Sequence, residues 1–223
     1  MRTLGRIVQP VATSVALAAL AAGCSELALA GHAGSSPPPR LVRREQERVL
    51  GVPQRVLLAD FDRSGHQTNA GEPFGAWEGD PGDRTQSCRA RLVSEERVGA
   101  DGFGLMLEYD VESPNPAFNG FWMKLPRLAV REFDTLSFDI KGDAQHGFTR
   151  RLWIELKSPS RSARFRLDGI EPRWQRVQIP LDAFEGIARL RELTEFVVVF
   201  DDHTVTEPVG AIYLDNVALE SGV

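Results

Sequence analysis

From residue 56 onward the chain is organised as short apolar runs, and several of them alternate apolar with polar residues. The run 151–157 is the clearest case, because Leu152, Ile154 and Leu156 fall on one side of an extended chain. A period of two residues is typical of a half-buried β-strand. The pattern predicts about nine strands, at residues 56–61, 105–111, 120–125, 135–142, 151–157, 163–167, 174–179, 196–200 and 211–219.

Turn signals such as Asp101-Gly102, Asp168-Gly169 and Glu207-Pro208 separate these runs. The one helical candidate spans residues 181–193, and Gly186 inside it favours short turns instead. Many short strands without a long amphipathic helix predict a single all-β domain, either a β-sandwich or a jelly roll.

The first residues have the composition of a targeting signal rather than of a folded element. Arg2 and Arg6 precede an apolar stretch at 11–22, and Leu20-Ala21-Ala22-Gly23-Cys24 follows with small residues before a cysteine. This pattern resembles the lipobox of bacterial lipoproteins. The resemblance implies a signal peptide at residues 1–23, lipidation of Cys24 and, because Ser25 follows, passage to an outer membrane. An ordinary secretory signal, with Cys24 incidental, is the alternative.

Residues 24–54 are predicted to be a flexible tether, and residues 55–223 the domain. Ser and Pro dominate 34–39, and charges of both signs fill 40–48, a composition that buries little apolar surface. We interpret the charged part as solvated, with one frayed helical turn as the alternative. Glu45 and Glu47 weaken a further alternative, a basic patch in contact with the membrane. The predicted location is therefore the bacterial cell envelope, with the domain lipid-anchored and facing the periplasm or the surface.

Composition and motifs argue against two classes of function. The net charge is −5, and no basic stripe with interleaved aromatics suggests a nucleic-acid partner. The four histidines have no metal-ligand spacing, and neither a nucleophile elbow nor a phosphate-binding glycine loop occurs. We predict that the protein is not an enzyme. A hydrolase with a carboxylate pair among Glu155, Asp201 and Asp202 is the alternative to test.

The order of motifs in residues 55–220 carries a more specific resemblance. The segments 58–62, 99–111, 121–125, 134–143, 154–157, 174–184 and 212–217 together resemble the galactose-binding-like jelly-roll domains. Among these the chain is most similar to family-11-type carbohydrate-binding modules and their free-standing lipoprotein relatives. The resemblance implies a monomeric jelly-roll domain that binds a carbohydrate without catalysis. It also implies one structural Ca²⁺ at Asp62, Asp215 and the carbonyls around Asp101-Gly102, a mixed oxygen set that suits the ion. The alternative is that the carboxylates only cap strand ends.

Sugar binding requires flat aromatic rings beside charged or amide hydrogen-bonding groups. Alternation places Trp153, Glu155 and Lys157 on one face of their strand and Trp122 with Lys124 on one face of another. These five residues are the predicted cleft. Asp201, which extends the face of Val197 and Val199, and Trp77, in a glycine-rich segment that we predict to be a loop, complete the set.

Both the charged residues and Trp77 have an alternative role that involves no ligand. Glu155 and Lys157 pair on an ordinary solvated face if no ligand binds, and Trp77 plugs the end of the sandwich instead of capping a cleft. Trp174 is predicted to lie in the core.

The competing function is that of a structural or assembly lipoprotein that uses the same sandwich to bind a protein or an envelope polymer.

Overall fold

A computed structural model describes residues 54–222, so the predicted signal peptide, Cys24 and nearly all of the predicted tether lie outside the described residues. Within these residues three 3₁₀-helices occur, at Val130–Glu132, Leu181–Ala183 and Ile187–Arg189. None of the helices in this range is long and apolar enough to cross a membrane. The strands are β1 (Arg55–Ala59), β2 (Phe74–Glu78), β3 (Ser87–Val93), β4 (Gly104–Asp110), β5 (Phe118–Ala129), β6 (Thr135–Gly142), β7 (Arg151–Ser158), β8 (Arg161–Asp168), β9 (Gln175–Pro180), β10 (Glu192–Asp201) and β11 (Val209–Glu220).

The strands form two antiparallel sheets. Sheet one has the order β3-β4-β11-β6-β9, and β1 pairs with the second half of the long strand β11. Sheet two has the order β2-β5-β10-β7-β8. Strand β10 therefore lies between β5 and β7, although β7 and β8 come before it in the chain. This crossover connectivity, together with the two layers, is that of a jelly-roll sandwich.

The core lies between the sheets and is built by the alternation of each strand. Each strand turns every second side chain inward, so the apolar residues of both sheets meet in one layer. The largest fully buried side chains are Phe121, Phe138, Phe184, Phe196, Phe200, Leu105, Leu107, Met123, Leu136, Ile140, Leu152 and Ile154. The side chains of sheet two that point away from this core form the outer face of the sheet.

Each of the predicted strands is present, but two edge strands were missed. Strand β2 has only five residues and contains Gly75, so its pattern is weak. Strand β3 does alternate, because Cys88, Ala90 and Leu92 pack on the core while Arg89 and Arg91 are exposed, so its signal was present in the sequence. Trp77 lies in β2 and not in a loop as predicted. The interpretation of 181–193 as short turns is confirmed, since Gly186 adopts a left-handed φ of 93° between two 3₁₀-helices.

Trp174 is not in the core as predicted. It is half-buried on the outer side of sheet one, where its ring centroid lies 6.3 Å from that of Tyr213. Met106, Ala211 and Tyr213 form this small cluster, which is separate from the core between the sheets. The segment before β9 therefore covers the outside of the sandwich.

Candidate binding site

The predicted site residues on β5 and β7 share the outer face of sheet two. Strand pairing places Val197 of β10 between Trp122 of β5 and Glu155 of β7. In the next row Glu195 lies between Lys124 and Lys157. Because inward and outward side chains alternate in register, both rows project away from the core. The structure thus brings together five residues that the sequence could place only on separate strands.

A groove of about 320 Å³ lies on this face. Its lining residues are Trp77, Trp122, Lys124, Lys157, Glu195 and Val197. Four of them were predicted from the sequence. Val197 is only 1% exposed although it points outward, because the longer side chains around it leave it as the floor of the groove. The groove therefore has an apolar base, an aromatic side and a charged side.

The aromatic side is built from two tryptophans that pair with two glycines across β2 and β5. Trp122 is in register with Gly75, and Trp77 is in register with Gly120. A Cβ added to Gly75 would lie 3.5 Å from the Trp122 indole. One added to Gly120 would lie 1.9 Å from the carbonyl oxygen of Val198 and 3.2 Å from Nε1 of Trp77, so the backbone of β10 also requires a glycine there. Each indole thus lies over the bare backbone of the neighbouring strand, where a larger side chain would lift it. The indole N–H of Trp77 is buried in this contact and has no acceptor among the described residues.

The charged side consists of lysine–carboxylate pairs. Nζ of Lys124 donates to Glu195 at 3.1 Å and also lies 5.7 Å from the centre of the Trp122 ring. Nζ of Lys157 lies 3.2 Å from the Glu155 carboxylate. These side chains are partly exposed, so the pairs contribute little to stability. Their N–H donors and oxygen acceptors nevertheless stand beside the aromatic surface, where sugar hydroxyls would need them.

Trp153 lies on the same face but outside the groove. It is in register with Val199 and donates its indole N–H to Oγ1 of Thr204 at 2.8 Å. The guanidinium of Arg164 covers the ring at 4.9 Å from its centre. Trp153 therefore holds the loop after β10 in place, and only the ring surface not covered by Arg164 is left for a ligand.

Asp201 and Glu155 are also on this face without lining the groove. Asp201 is half-buried at the end of β10, in register with Phe118, and its carboxylate accepts the backbone N–H of His203. Glu195, in contrast, lines the groove and was missed by the sequence analysis. The sequence could have identified Glu195, because it precedes Val197 by two residues and so lies on the same face of the strand as Val197 and Val199.

Comparisons with known proteins agree with this architecture. No protein-family profile and no curated protein matches the chain. Among solved structures, the family 11 carbohydrate-binding module of a cellulosomal cellulase from Clostridium thermocellum is 17% identical, with a TM-score of 0.53 over 76% of this chain and 95% of that one. The family 11 module from Clostridium thermocellum in complex with a β-1,3-1,4-mixed-linked tetrasaccharide is 16% identical, with a TM-score of 0.55 over 76% and 96%. The chain has the jelly-roll fold of the family 11 carbohydrate-binding modules.

A larger cavity of about 1180 Å³ lies at one end of the jelly roll. Arg127 and Glu192 pair across part of its rim, and Phe133, its one aromatic lining residue, is buried. It therefore presents no exposed ring on which a sugar could stack. The smaller groove on sheet two is lined by two tryptophans and three charged residues, so it is the better candidate for sugar binding.

The predicted calcium residues of the jelly roll lie where β1, the loop before β4 and β11 meet. The Asp62 carboxylate lies directly over Gly102, whose φ is 92°, and accepts the backbone N–H of Phe103 at 3.2 Å. Asp215 is 1% exposed and accepts the N–H groups of Val98 and Asn216. Asp62 and the loop are thus in contact, as the calcium hypothesis requires.

The pKa of Asp215 is raised to about 6: burial is the largest cause and the nearby carboxylates of Asp62 and Asp139 add to it, while the two N–H hydrogen bonds oppose it. A cation would relieve this repulsion. However, no three Asp, Glu, His or Cys side chains among the described residues are arranged to hold a metal ion. The Asp101 side chain is exposed, so only its backbone carbonyl suits the predicted role. Calcium binding stays a prediction that requires backbone carbonyls beside Asp62 and Asp215.

Cys88 is a buried free cysteine on β3. Burial raises its pKa to about 12, with a further contribution from Glu78. The thiol is therefore protonated at neutral pH and is a packing residue rather than a nucleophile.

Proposed function

We propose that this protein binds a carbohydrate, without catalysis, on the outer face of sheet two. The observation that carries the proposal is the pairing of Trp77 and Trp122 with Gly120 and Gly75 beside the row Lys124, Glu195 and Lys157. Indoles held over bare backbone offer apolar surface to the C–H face of a sugar. The neighbouring ammonium and carboxylate groups offer donors and acceptors to its hydroxyls. Trp153, Glu155 and Asp201 extend the same face and remain proposed ligand residues.

The charges of the face favour a neutral glycan. Lys124 pairs with Glu195 and Lys157 with Glu155, while Arg164 on the adjoining edge strand pairs with Glu185. An acidic polysaccharide would need cations free to meet its carboxylates, and it would meet Glu195 and Glu155 as well. A neutral glycan can instead bridge each ion pair through its hydroxyl groups.

The same pairs support a non-catalytic role. Glycoside hydrolysis uses two carboxyl groups on either side of the scissile bond, one of them protonated. Glu195 and Glu155 each lie within 3.2 Å of a lysine ammonium on the same face, and the groove provides no second, unpaired carboxyl opposite them. The groove is thus suited to holding a chain and not to cleaving it.

Affinity gel electrophoresis tests the proposal. The purified protein is run through gels containing neutral polysaccharides (mixed-linked β-glucan, xyloglucan, galactomannan, xylan) or acidic ones (alginate, polygalacturonate). We expect retention by at least one neutral polymer, and loss of that retention in Trp122→Ala and weakening in Glu195→Gln. Val209→Ala, which removes an exposed apolar side chain from sheet one, serves as the matched control.

Two outcomes would contradict the proposal. Retention that is unchanged in both Trp122→Ala and Trp153→Ala would show that the face is not the site. Release of reducing sugar from a retained polymer, lost in Glu155→Gln, would show that the protein is a hydrolase.

We also propose that lipidation of Cys24 anchors the domain in the cell envelope, at the outer membrane by the identity of Ser25, as the sequence predicts. Two or more acyl chains give stable membrane attachment, since each buried methylene contributes about 0.8 kcal/mol. Mass spectrometry of the processed protein should find an acylated Cys24 at its N-terminus. Cys24→Ala should release the protein into the soluble fraction, and an unmodified N-terminus elsewhere would contradict the proposal.

A further inference from the structure

Phe118 is an exposed aromatic residue next to the groove. Its exposed fraction is 45%, and it begins β5, four residues before Trp122 on the same face. Its ring centroid lies 6.0 Å from that of Trp77, with the two planes at 58°. A Cβ added to Gly79 would lie only 2.4 Å from the ring, so Phe118 lies over a bare backbone just as Trp122 does. The exposed ring therefore packs against the Gly79 backbone and the Trp77 indole on one side and is open to solvent on the other.

Trp122, Trp77 and Phe118 form an aromatic track that follows β5. Four residues of strand separate positions 118 and 122, which is about 13 Å at roughly 3.3 Å per residue. Trp77 is opposite Gly120, halfway between them, on the neighbouring strand. Because the line of rings runs with the strand, a ligand that contacts all three lies along the edge of sheet two rather than across it.

Hydrogen-bonding groups stand beside both ends of the track. Lys124 and Glu195 are next to Trp122, and Asp201 is in register with Phe118. Between these ends the positions next to the track are Gly120 and Val199, which offer no polar side chain. Polar contacts to a ligand are thus grouped at the two ends, with apolar surface between them.

We propose that Phe118 is the third stacking residue of the site and that the glycan lies along β5 from Trp122 to Phe118. This inference rests on the proposed carbohydrate binding. The site takes a run of three sugar units, one for each ring, and Asp201 contacts the unit that stacks on Phe118. A shorter oligosaccharide fills the Trp122 end, where the groove and both lysines lie.

Isothermal titration with oligosaccharides of two to six units, prepared from the neutral polymer that the protein retains, tests this arrangement. For wild type, affinity should rise from two units to three and then level off. Phe118→Ala should lower the affinity for three or more units about tenfold and leave that for two units unchanged. Phe118→Tyr, which keeps a ring, should bind as wild type does. Phe118→Leu, which keeps only bulk, should behave as Phe118→Ala does.

Val209→Ala is again the matched control, and thermal melts check that each variant is folded. If Phe118→Ala binds every length as wild type does while Trp122→Ala loses binding, the inference is wrong and the proposed function stands. If wild type binds none of the oligosaccharides or polymers, the proposed function itself fails.

Discussion

Trp122 of β5 lies over Gly75 of β2, with its indole 3.5 Å from the place that a Cβ on this glycine would occupy. This contact decides how far the ring stands above the sheet. Alanine at position 75 would make an ordinary van der Waals contact, whereas a branched side chain would occupy the space of the ring. Position 75 therefore controls the aromatic surface without being part of it.

The first prediction is that Gly75→Val abolishes glycan retention and Gly75→Ala preserves it. Valine favours strand conformation, so the free energy of unfolding of Gly75→Val should differ from that of wild type by less than about 1 kcal/mol. The loss of binding should approach that of Trp122→Ala, about 2 kcal/mol or roughly 30-fold in Kd. Affinity gels and urea unfolding measure the two effects. A valine variant that binds normally would show that the position of the Trp122 ring is unimportant.

A second prediction concerns the hydrogen bond from Trp153 to Thr204. Trp153→Phe keeps a ring on the face but removes this donor, and Thr204→Val removes the acceptor. Each variant should lower the free energy of unfolding by about 1 kcal/mol. The double variant should cost less than the sum by a similar amount, because the two residues share one bond. Additive costs in urea unfolding would mean that the bond does not form in solution.

Binding gives an independent measurement on the same variants. Trp153→Phe should still be retained by the polymer, since the ring surface opposite Arg164 is preserved. Trp153→Ala should weaken retention. A phenylalanine variant that loses retention while remaining folded would mean that the indole N–H itself is required.

The alternation of residues along single strands was enough to predict the main features of the face. Leu152, Ile154 and Leu156 are buried on β7, and this alone places Trp153, Glu155 and Lys157 together on the other side. The period of two leaves no other arrangement once one face is buried. The same argument placed Trp122 with Lys124.

The order of strands could not be predicted in this way, because it depends on contacts distant in sequence. Strand β10 inserts between β5 and β7, so Glu195 comes between two lysines that lie more than 30 residues earlier in the chain. Trp77 was assigned to a loop since glycines flank it. Gly75 and Gly79 instead serve to seat the rings of Trp122 and Phe118. Glycine has this second use wherever a ring must approach a neighbouring backbone.

A third prediction uses Asp143 to relate pH to stability. One oxygen of its carboxylate accepts the Tyr213 hydroxyl at 2.7 Å and lies 2.7 Å from Nδ1 of His146. Burial opposes ionisation, but hydrogen bonds from His146, Tyr213 and the backbone outweigh it and lower the pKa to about 2. In the unfolded chain the pKa of Asp143 is near 3.9. Between about pH 2 and pH 4 the unfolded state therefore binds the proton more readily than the folded state does. Asp143 therefore contributes stability above about pH 4 that is lost as the pH falls toward 2.

Urea unfolding of wild type and Asp143→Asn between pH 7 and pH 2 measures this contribution. The wild type should be more stable by about 1–2 kcal/mol at neutral pH, after allowance for solvent screening near the surface. The difference should shrink as the pH falls through the range from 4 to 2. A difference that stays constant over this range would mean that the stability of the fold does not depend on ionisation of Asp143.

The last prediction is that Ca²⁺ stabilises the domain through Asp62 and Asp215. Calcium bound only to the folded state raises the free energy of unfolding by RT ln(1 + [Ca²⁺]/Kd). With a Kd of about 10⁻⁴–10⁻³ M, as is common for extracellular modules, about 10 mM Ca²⁺ contributes roughly 1.4–2.7 kcal/mol. The midpoint of a thermal melt should then rise by several degrees relative to a sample with chelator, about 2–4 °C for each kcal/mol. The cation would offset the repulsion between the buried Asp215 carboxylate and that of Asp62.

Asp62→Asn and Asp215→Asn should each remove the shift. Asp101→Asn should keep it, because only its backbone carbonyl is proposed as a ligand, and equal concentrations of Mg²⁺ should have little effect because this ion demands a stricter geometry. A melt that the chelator leaves unchanged would show that Asp62 and Asp215 serve only their backbone N–H partners.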